Sequence, residues 1–244
     1  MGVYEYILEK RRERPLHFTL IDPDEQEPEE AGEIAKTVVE YGTDAIMVGG
    51  SGVDRESTDK TVLAIKRNVN VPVIIFPGNI SDISPHADAI FFMTLLNSRS
   101  RYWLSLAQAL GAFYVKKCGI EPIPMGYIIV ESGTKSSVEF YGDANTIPRN
   151  KPKIAAAFAL AAQYMGMKLV YLEAGSGAQK PVPPEMVSYV KKCIDIPLVV
   201  GGGIRDEKTA RTLVKAGADI IVTGTVVEEN TEKVKEIIKG VHLE

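Results

Sequence analysis

Cysteine, histidine and tryptophan are scarce in this chain: two, three and one among 244 residues. Cys118 and Cys193 stand far apart with no CxxC pair, which argues against a zinc ribbon or a disulfide framework and fits two reduced thiols in a cytoplasmic protein. His17, His86 and His242 form no metal-spaced set, so a catalytic histidine is not expected. No GxSxG, HExxH or Walker loop occurs, which speaks against the hydrolase, metalloprotease and P-loop mechanisms. Gly49 begins a GGSG run, but it lacks the GxGxxG spacing of a dinucleotide fingerprint. No apolar run approaches the roughly 18 residues of a membrane span, and the first residues lead into charged Lys10–Arg14 rather than a signal-peptide core. A charge excess is lacking too. Twenty-eight Lys and Arg against 32 Asp and Glu leave a net charge of −4 with no basic block, so a nucleic-acid partner is not expected.

What is present is an ordinary globular composition, 45% hydrophobic and 25% charged, patterned as alternating strands and helices. Apolar runs at 17–21, 45–48, 71–76, 89–93, 126–130, 169–172, 198–200 and 220–223 read as eight strands. Their near-continuous apolarity suits strands buried on both faces of a parallel sheet. Helical patterns fill most gaps, at 28–41, 55–68, 101–117, 153–165, 184–193, 207–216 and 231–240. Pro28 and Pro184 suit a first helical turn, and Gly42, Gly166 and Gly217 suit left-handed caps. With 244 residues, the pattern predicts an α/β fold, a single-domain TIM (β/α)8 barrel spanning the whole chain. One unit departs from it. The link Asn79–Asp88 is too short and too rich in turn formers for an ordinary crossover helix, so the third helix is predicted to be shortened or missing. That either opens the outer wall there or leaves a short helical turn to cover it.

Three late strands end in glycine: Tyr171-Leu-Glu-Ala-Gly-Ser-Gly177, Gly201-Gly-Gly-Ile-Arg205 and Thr223-Gly-Thr225. Glycine lets backbone N–H groups approach a phosphate closely, and three such turns side by side make a cradle of the kind formed by the late loops of a barrel. A small phosphorylated ligand is expected. Glu173, beside that cradle, is placed to hydrogen-bond hydroxyls of the same ligand or accept a proton from one. Tyr171 either contacts the ligand through its phenol or is a core aromatic. Asp22 and Asp24 follow the first strand and Ser51 follows the second. A carboxylate, a hydroxyl and waters suit Mg2+, although Asx residues in this position also cap turns. Phe76, Pro77, Phe92, Leu95, Tyr102, Trp103 and Tyr127 line either a long apolar groove or an ordinary core. Arg99 and Lys135 either meet a diphosphate or solubilise the surface.

These motifs resemble the geranylgeranylglyceryl phosphate synthase family, related to the bacterial PcrB heptaprenylglyceryl phosphate synthases. The resemblance covers nearly the whole chain. It rests on Thr19-Leu-Ile-Asp-Pro-Asp24, Ile46-Met-Val-Gly-Gly-Ser51, Phe76-Pro-Gly-Asn79, Phe91-Phe-Met-Thr-Leu-Leu-Asn-Ser98, Pro124-Met-Gly-Tyr127 and the three glycine-bearing strand ends. The glycine triplet is common among phosphate-binding barrels, whereas its combination with YLEAGSG and FFMTLLNS is specific. The resemblance implies a Mg2+-dependent prenyltransferase that joins sn-glycerol 1-phosphate to a polyprenyl diphosphate in ether-lipid biosynthesis. It implies metal ligation by Asp22 and Ser51, and a glycerol phosphate site of Tyr171, Glu173, Ala174, Gly175, Ser176, Gly177, Gly202, Gly203, Gly224 and Thr225. It further implies a homo-oligomer, a preference for the twenty-carbon chain, and transient membrane contact through the lipid product. Another phosphosugar barrel enzyme, a synthase of different chain length and a non-catalytic binding barrel are the alternatives. An aldolase would want a Schiff-base lysine within the barrel, yet Lys168 only opens the sixth strand, and Lys135 and Lys180 lie in loops.

Overall fold

The computed structural model describes residues 1–50, 52, 54–133 and 135–243, with the backbone alone at 228 and 229. Eight parallel strands close into a barrel in chain order: β1 (Leu16–Ile21), β2 (Ala45–Val48), β3 (Val73–Ile75), β4 (Ala89–Leu95), β5 (Glu121–Ile129), β6 (Leu169–Glu173), β7 (Leu198–Gly201) and β8 (Ile220–Thr223). The last strand pairs with the first, Phe18 opposite Val222, so no sheet edge is left open. Around them run α1 (Val3–Glu13), α2 (Pro28–Glu40), α3 (Arg55–Asn68), α4 (Ala107–Cys118), α5 (Ser137–Tyr141), α6 (Pro152–Tyr164), α7 (Pro184–Lys191), α8 (Glu207–Ala216), α9 (Thr225–Glu229) and α10 (Thr231–His242). Among the described residues, no helix is long and apolar enough to cross a membrane.

Strand alternation sorts the side chains into two cores. Phe18, Met47, Ile74, Phe91, Met125, Tyr127, Leu169, Tyr171, Val199 and Val222 fill the barrel. Ile46, Val48, Ile75, Ile90, Ile128, Val170, Leu172, Val200 and Ile221 face the helices. Both faces being covered is why each strand reads as an unbroken apolar run. Gly42, Gly166 and Gly217 take positive φ after their helices, as expected of left-handed caps. His17 is a satisfied core residue on the outer face. It bonds the hydroxyls of Thr43 (2.7 Å) and Thr223 (2.9 Å), and burial lowers its pKa to about 3, so the ring is neutral.

The structure bears out the shortened third unit and differs from the sequence expectation at two other places. After β3 a single 3-10 turn, Ile80–Asp82, replaces the third barrel helix; Asn79 and Asp82 cap it reciprocally. The long helix expected at 101–117 is divided into a π-helical turn, Tyr102–Leu106, followed by α4. Such turns cluster at functional sites, and this one faces the site described below. The helix α1, not anticipated from sequence, places Val3 and Ile7 in the barrel core and donates two backbone N–H groups to the Glu121 carboxylate.

Asn97 and Ser98, at the end of the FFMTLLNS motif, pin the loop after β5. Asn97 donates to the carbonyls of Ile129 (2.9 Å) and Asn145 (3.0 Å) and accepts from the Ile129 N–H (3.1 Å). Ser98 donates to the Gly142 carbonyl at 2.5 Å. Asn97→Ala is expected to cost about 3 kcal/mol, because a buried donor and two acceptors lose their partner. Urea unfolding at an unchanged m-value measures it.

Candidate active site

The C-terminal mouth of the barrel opens into a cavity of about 720 Å3, within the roughly 300–1,000 Å3 of small-molecule sites. Its inner end is built by β6. Leu169, Tyr171 and Glu173 alternate inward, so Tyr171 and Glu173 stand one above the other with the carboxylate at the strand's end. Glu173 is almost wholly buried, and burial raises its pKa, partly countered by the Tyr171 hydroxyl and the Gly175 and Ala174 N–H groups. Its Oε1 accepts the Gly175 N–H at 2.5 Å. A Cβ at Gly202 would overlap that oxygen, and the residue's φ of +82° is one that L side chains rarely adopt, so only glycine fits there. Tyr127 packs edge-on against both Phe76 and Tyr171, and Phe76 lies tilted against Tyr171, with ring centroids 5.1 to 5.9 Å apart, so the three rings form an aromatic floor beneath.

The rim above Glu173 is made by the loops after β6, β7 and β8. Gly175, Ser176, Gly177, Gly202, Gly203, Gly224 and Thr225 all line the cavity. Ser176 and Thr225 join two of these loops through their hydroxyls at 3.2 Å. Ala174 differs from its neighbours. Its side chain is buried among the outer-core residues and its N–H bonds the Gly201 carbonyl at 3.0 Å, so it does not face the cavity.

Across the mouth, at the end of β1, Asp22 lines the same cavity with Asp24 and Glu25. Burial raises its pKa, and the charges of Asp24, Glu25 and Asp82 raise it further, while the Asp24 N–H lowers it. A Cβ at Gly50 would overlap both Asp22 carboxylate oxygens, so the absence of a side chain there makes room for the acid. Ser51, the other expected metal ligand, lies outside the described residues. Among the described residues, no three His, Cys, Asp or Glu gather into a metal cage. The half-buried Asp22 carboxylate, with Asp24 and Glu25 beside it along the cavity, nevertheless suits Mg2+, which keeps several waters and needs few protein ligands.

The groove departs from the mouth along β4. Phe91, Met93 and Leu95 face the barrel interior, while Ile90 and Phe92 face outward. All five line the cavity, together with Ile80 and Ile83 around the 3-10 turn and Ala107, Gly111 and Val115 of α4. The channel therefore passes through the barrel wall where the third helix is missing. Gly111 faces the 3-10 turn, where a Cβ would meet Ile80 and Ile83 at an ordinary contact distance of 3.5 Å. Phe76, Pro77, Phe92, Leu95, Trp103 and Tyr127 all line the cavity. Tyr102 does not, since its hydroxyl donates to Asn79 Oδ1 (2.6 Å) and its ring buttresses Trp103 edge-on. Arg99 bonds Asn145 and Lys135 lies over the Phe140 ring, so neither reaches the cavity. Tyr141 and Val138 on α5 also line it. They escaped sequence analysis because α5 is five residues long and has no periodicity to read.

The PcrB family model matches residues 7–241. The chain belongs to the PcrB family. The geranylgeranylglyceryl phosphate synthase of Thermococcus kodakarensis is 60% identical over 246 residues, covering 98% of this chain and 97% of that protein. Among solved structures, (S)-3-O-geranylgeranylglyceryl phosphate synthase from Thermoplasma acidophilum, in complex with its substrate sn-glycerol-1-phosphate, superposes with a TM-score of 0.96 at 44% identity over the full length of both chains. The Thermoplasma volcanium enzyme gives 0.95 at 45% identity, covering 100% of this chain and 99% of that one.

Proposed function

We propose that the chain is a prenyltransferase that joins the 3-hydroxyl of sn-glycerol 1-phosphate to C1 of geranylgeranyl diphosphate as an ether, releasing diphosphate. The observation that carries this reading is that one cavity joins a glycine cradle and a buried carboxylate to an apolar channel through the barrel wall. In this reading the phosphate rests on the backbone N–H groups of the β6, β7 and β8 loops. Glu173 orients the attacking hydroxyl and takes its proton, with Tyr171 holding the carboxylate. An allylic C1 is a strong electrophile once its leaving group departs, so positioning the alcohol matters more than deep deprotonation. Phe92, Leu95 and Trp103 hold the prenyl chain along the groove, and the aromatic floor keeps water from intercepting the electrophile.

Asp22, with Ser51, would hold Mg2+. When bound there, the ion neutralises charge on the departing diphosphate as a Lewis acid. A Schiff-base aldolase is the weaker alternative, since no lysine is among the described residues lining the cavity. The exposed apolar side chains Leu110 and Phe113 on α4, and Tyr164 and Met165 at the end of α6, support a homo-oligomer. The enzyme is proposed to work in the cytoplasm and to meet a membrane only transiently, as it delivers its lipid product.

The reading is tested by incubating the protein with sn-glycerol 1-phosphate and prenyl diphosphates of ten to thirty-five carbons, with and without Mg2+. A Mg2+-dependent ether is expected, formed best from the twenty-carbon substrate. A different preferred length would make the chain a related synthase. No ether with any length would refute the reaction class.

A further inference from the structure

Both proposed substrates carry phosphate, yet the cavity that receives them is poor in positive charge. Asp22, Asp24, Glu25 and Glu173 line it, and among the described lining residues Arg205 is the only Lys, Arg or His. The residues outside the description include no cation, because they are Ser51, Val53, Thr134, Glu228, Glu229 and Glu244. Arg205 is exposed, and among the described residues no carboxylate pairs with it. The adjacent Asp206 is committed to capping α8, its oxygens taken by the N–H (2.7 Å) and hydroxyl (3.1 Å) of Thr209. Among the described residues, the guanidinium bonds only the Gly177 carbonyl at 3.5 Å, a long and therefore weak bond. Gly203, just before it, packs so closely under the Lys180–Pro181 peptide that a Cβ would come within 2.8 Å of it. The backbone that carries Arg205 is thus fixed against the loop after β6, while its guanidinium is exposed and held by one long bond.

We propose that Arg205 is the cationic clamp of the glycerol substrate, a binding residue that closes on the phosphate resting over the β6, β7 and β8 loops. The proposal rests on the functional reading above. Backbone N–H groups supply direction but no net charge, and a phosphomonoester dianion placed above the Glu173 carboxylate needs a counter-charge. Arginine supplies it with a planar fork that matches phosphate oxygens two at a time. Exchanging the long carbonyl bond for a charge-assisted one ties the β6 and β7 loops over the ligand. It also gives the mouth a polarity. The positive side lies over β7, where the phosphate of the small substrate sits, and the negative side over β1, where the diphosphate is met through a cation.

The experiment compares wild type with Arg205→Gln and Arg205→Lys. Inorganic phosphate and sn-glycerol 1-phosphate are titrated calorimetrically in the absence of prenyl diphosphate, and initial rates follow. Arg205→Gln is expected to weaken both ligands about tenfold to a hundredfold, the range for one charge-assisted bond. It should raise KM for glycerol phosphate with a much smaller change in kcat and in KM for the prenyl diphosphate. It should also flatten the salt dependence of phosphate affinity. Arg205→Lys should recover part of the loss, because it keeps the charge but not the fork. Unchanged phosphate affinity in Arg205→Gln overturns the proposal, and so does a defect confined to the prenyl diphosphate. If wild type bound inorganic phosphate through Arg205 but showed no preference for sn-glycerol 1-phosphate, the clamp would stand and the functional reading would fall.

Discussion

Asp22→Asn is expected to lower kcat about a thousandfold, roughly 4 kcal/mol of barrier, while leaving the fold and glycerol phosphate affinity intact. The substitution keeps the side chain's size, and with it the close packing on Gly50. It removes the negative charge proposed to bind a divalent cation directly on the β1 side of the mouth. Asp22 takes part in no ion pair among the described residues, and Asp24, Glu25 and Asp82 all disfavour its charge. Neutralising it should therefore leave the melting temperature unchanged or raise it slightly. The measurement is turnover against Mg2+ concentration for both proteins. Full Mg2+-dependent turnover in Asp22→Asn would remove the residue from the metal site.

Glu173→Gln should cost about a hundredfold in kcat/KM for sn-glycerol 1-phosphate, the low end for a positioned base, with a much smaller effect on the KM for prenyl diphosphate. Glutamine retains an oxygen for the Gly175 N–H, so the loop geometry survives while the basicity is lost. The sign of the pH effect follows from burial. Glu173 titrates above the ordinary carboxylate range because the folded protein disfavours its charge, and the charged form is the one that accepts the hydroxyl proton. Activity should therefore fall as pH drops through a value above roughly 4.3, the ordinary Glu value. That acid limb should vanish from the residual activity of Glu173→Gln. The raised pKa also means that ionising Glu173 costs stability as pH rises through it, so Glu173→Gln should be at least as stable as wild type at neutral pH. Equal rates and equal glycerol phosphate affinity in the variant would exclude both roles for this carboxylate.

The eight strands and the missing third helix were legible because both are local properties of the chain. Apolar runs of strand length, punctuated by proline and glycine, report burial on both faces. The link from 79 to 88 is too short for a crossover helix. Tyr171 and Glu173 could be paired from sequence because strand side chains repeat every two residues, which puts both on one face. The glycine turns could be joined into one cradle because consecutive strands of a barrel are neighbours, so residues around 175, 202 and 224 must meet.

Other features depended on packing between segments distant in sequence. Tyr102 and Trp103 are equivalent in composition, but the π-helical turn sends Trp103 to the cavity and holds Tyr102 on Asn79. Ala174 sits inside a binding motif, yet strand alternation buries its side chain in the outer core. Asn97 and Ser98 end a motif that carries the family resemblance and prove to be the clasp of a distant loop. Arg205 is one arginine among many until the cavity is assembled and found to hold no other cation. The sequence by itself determined the barrel, the order of its strands and the chemistry at their ends, since these follow from periodicity and nearest-neighbour topology. Only the tertiary structure decided where the groove leaves the barrel and which polar side chains face it, because direction and charge balance are set by contacts between residues far apart along the chain.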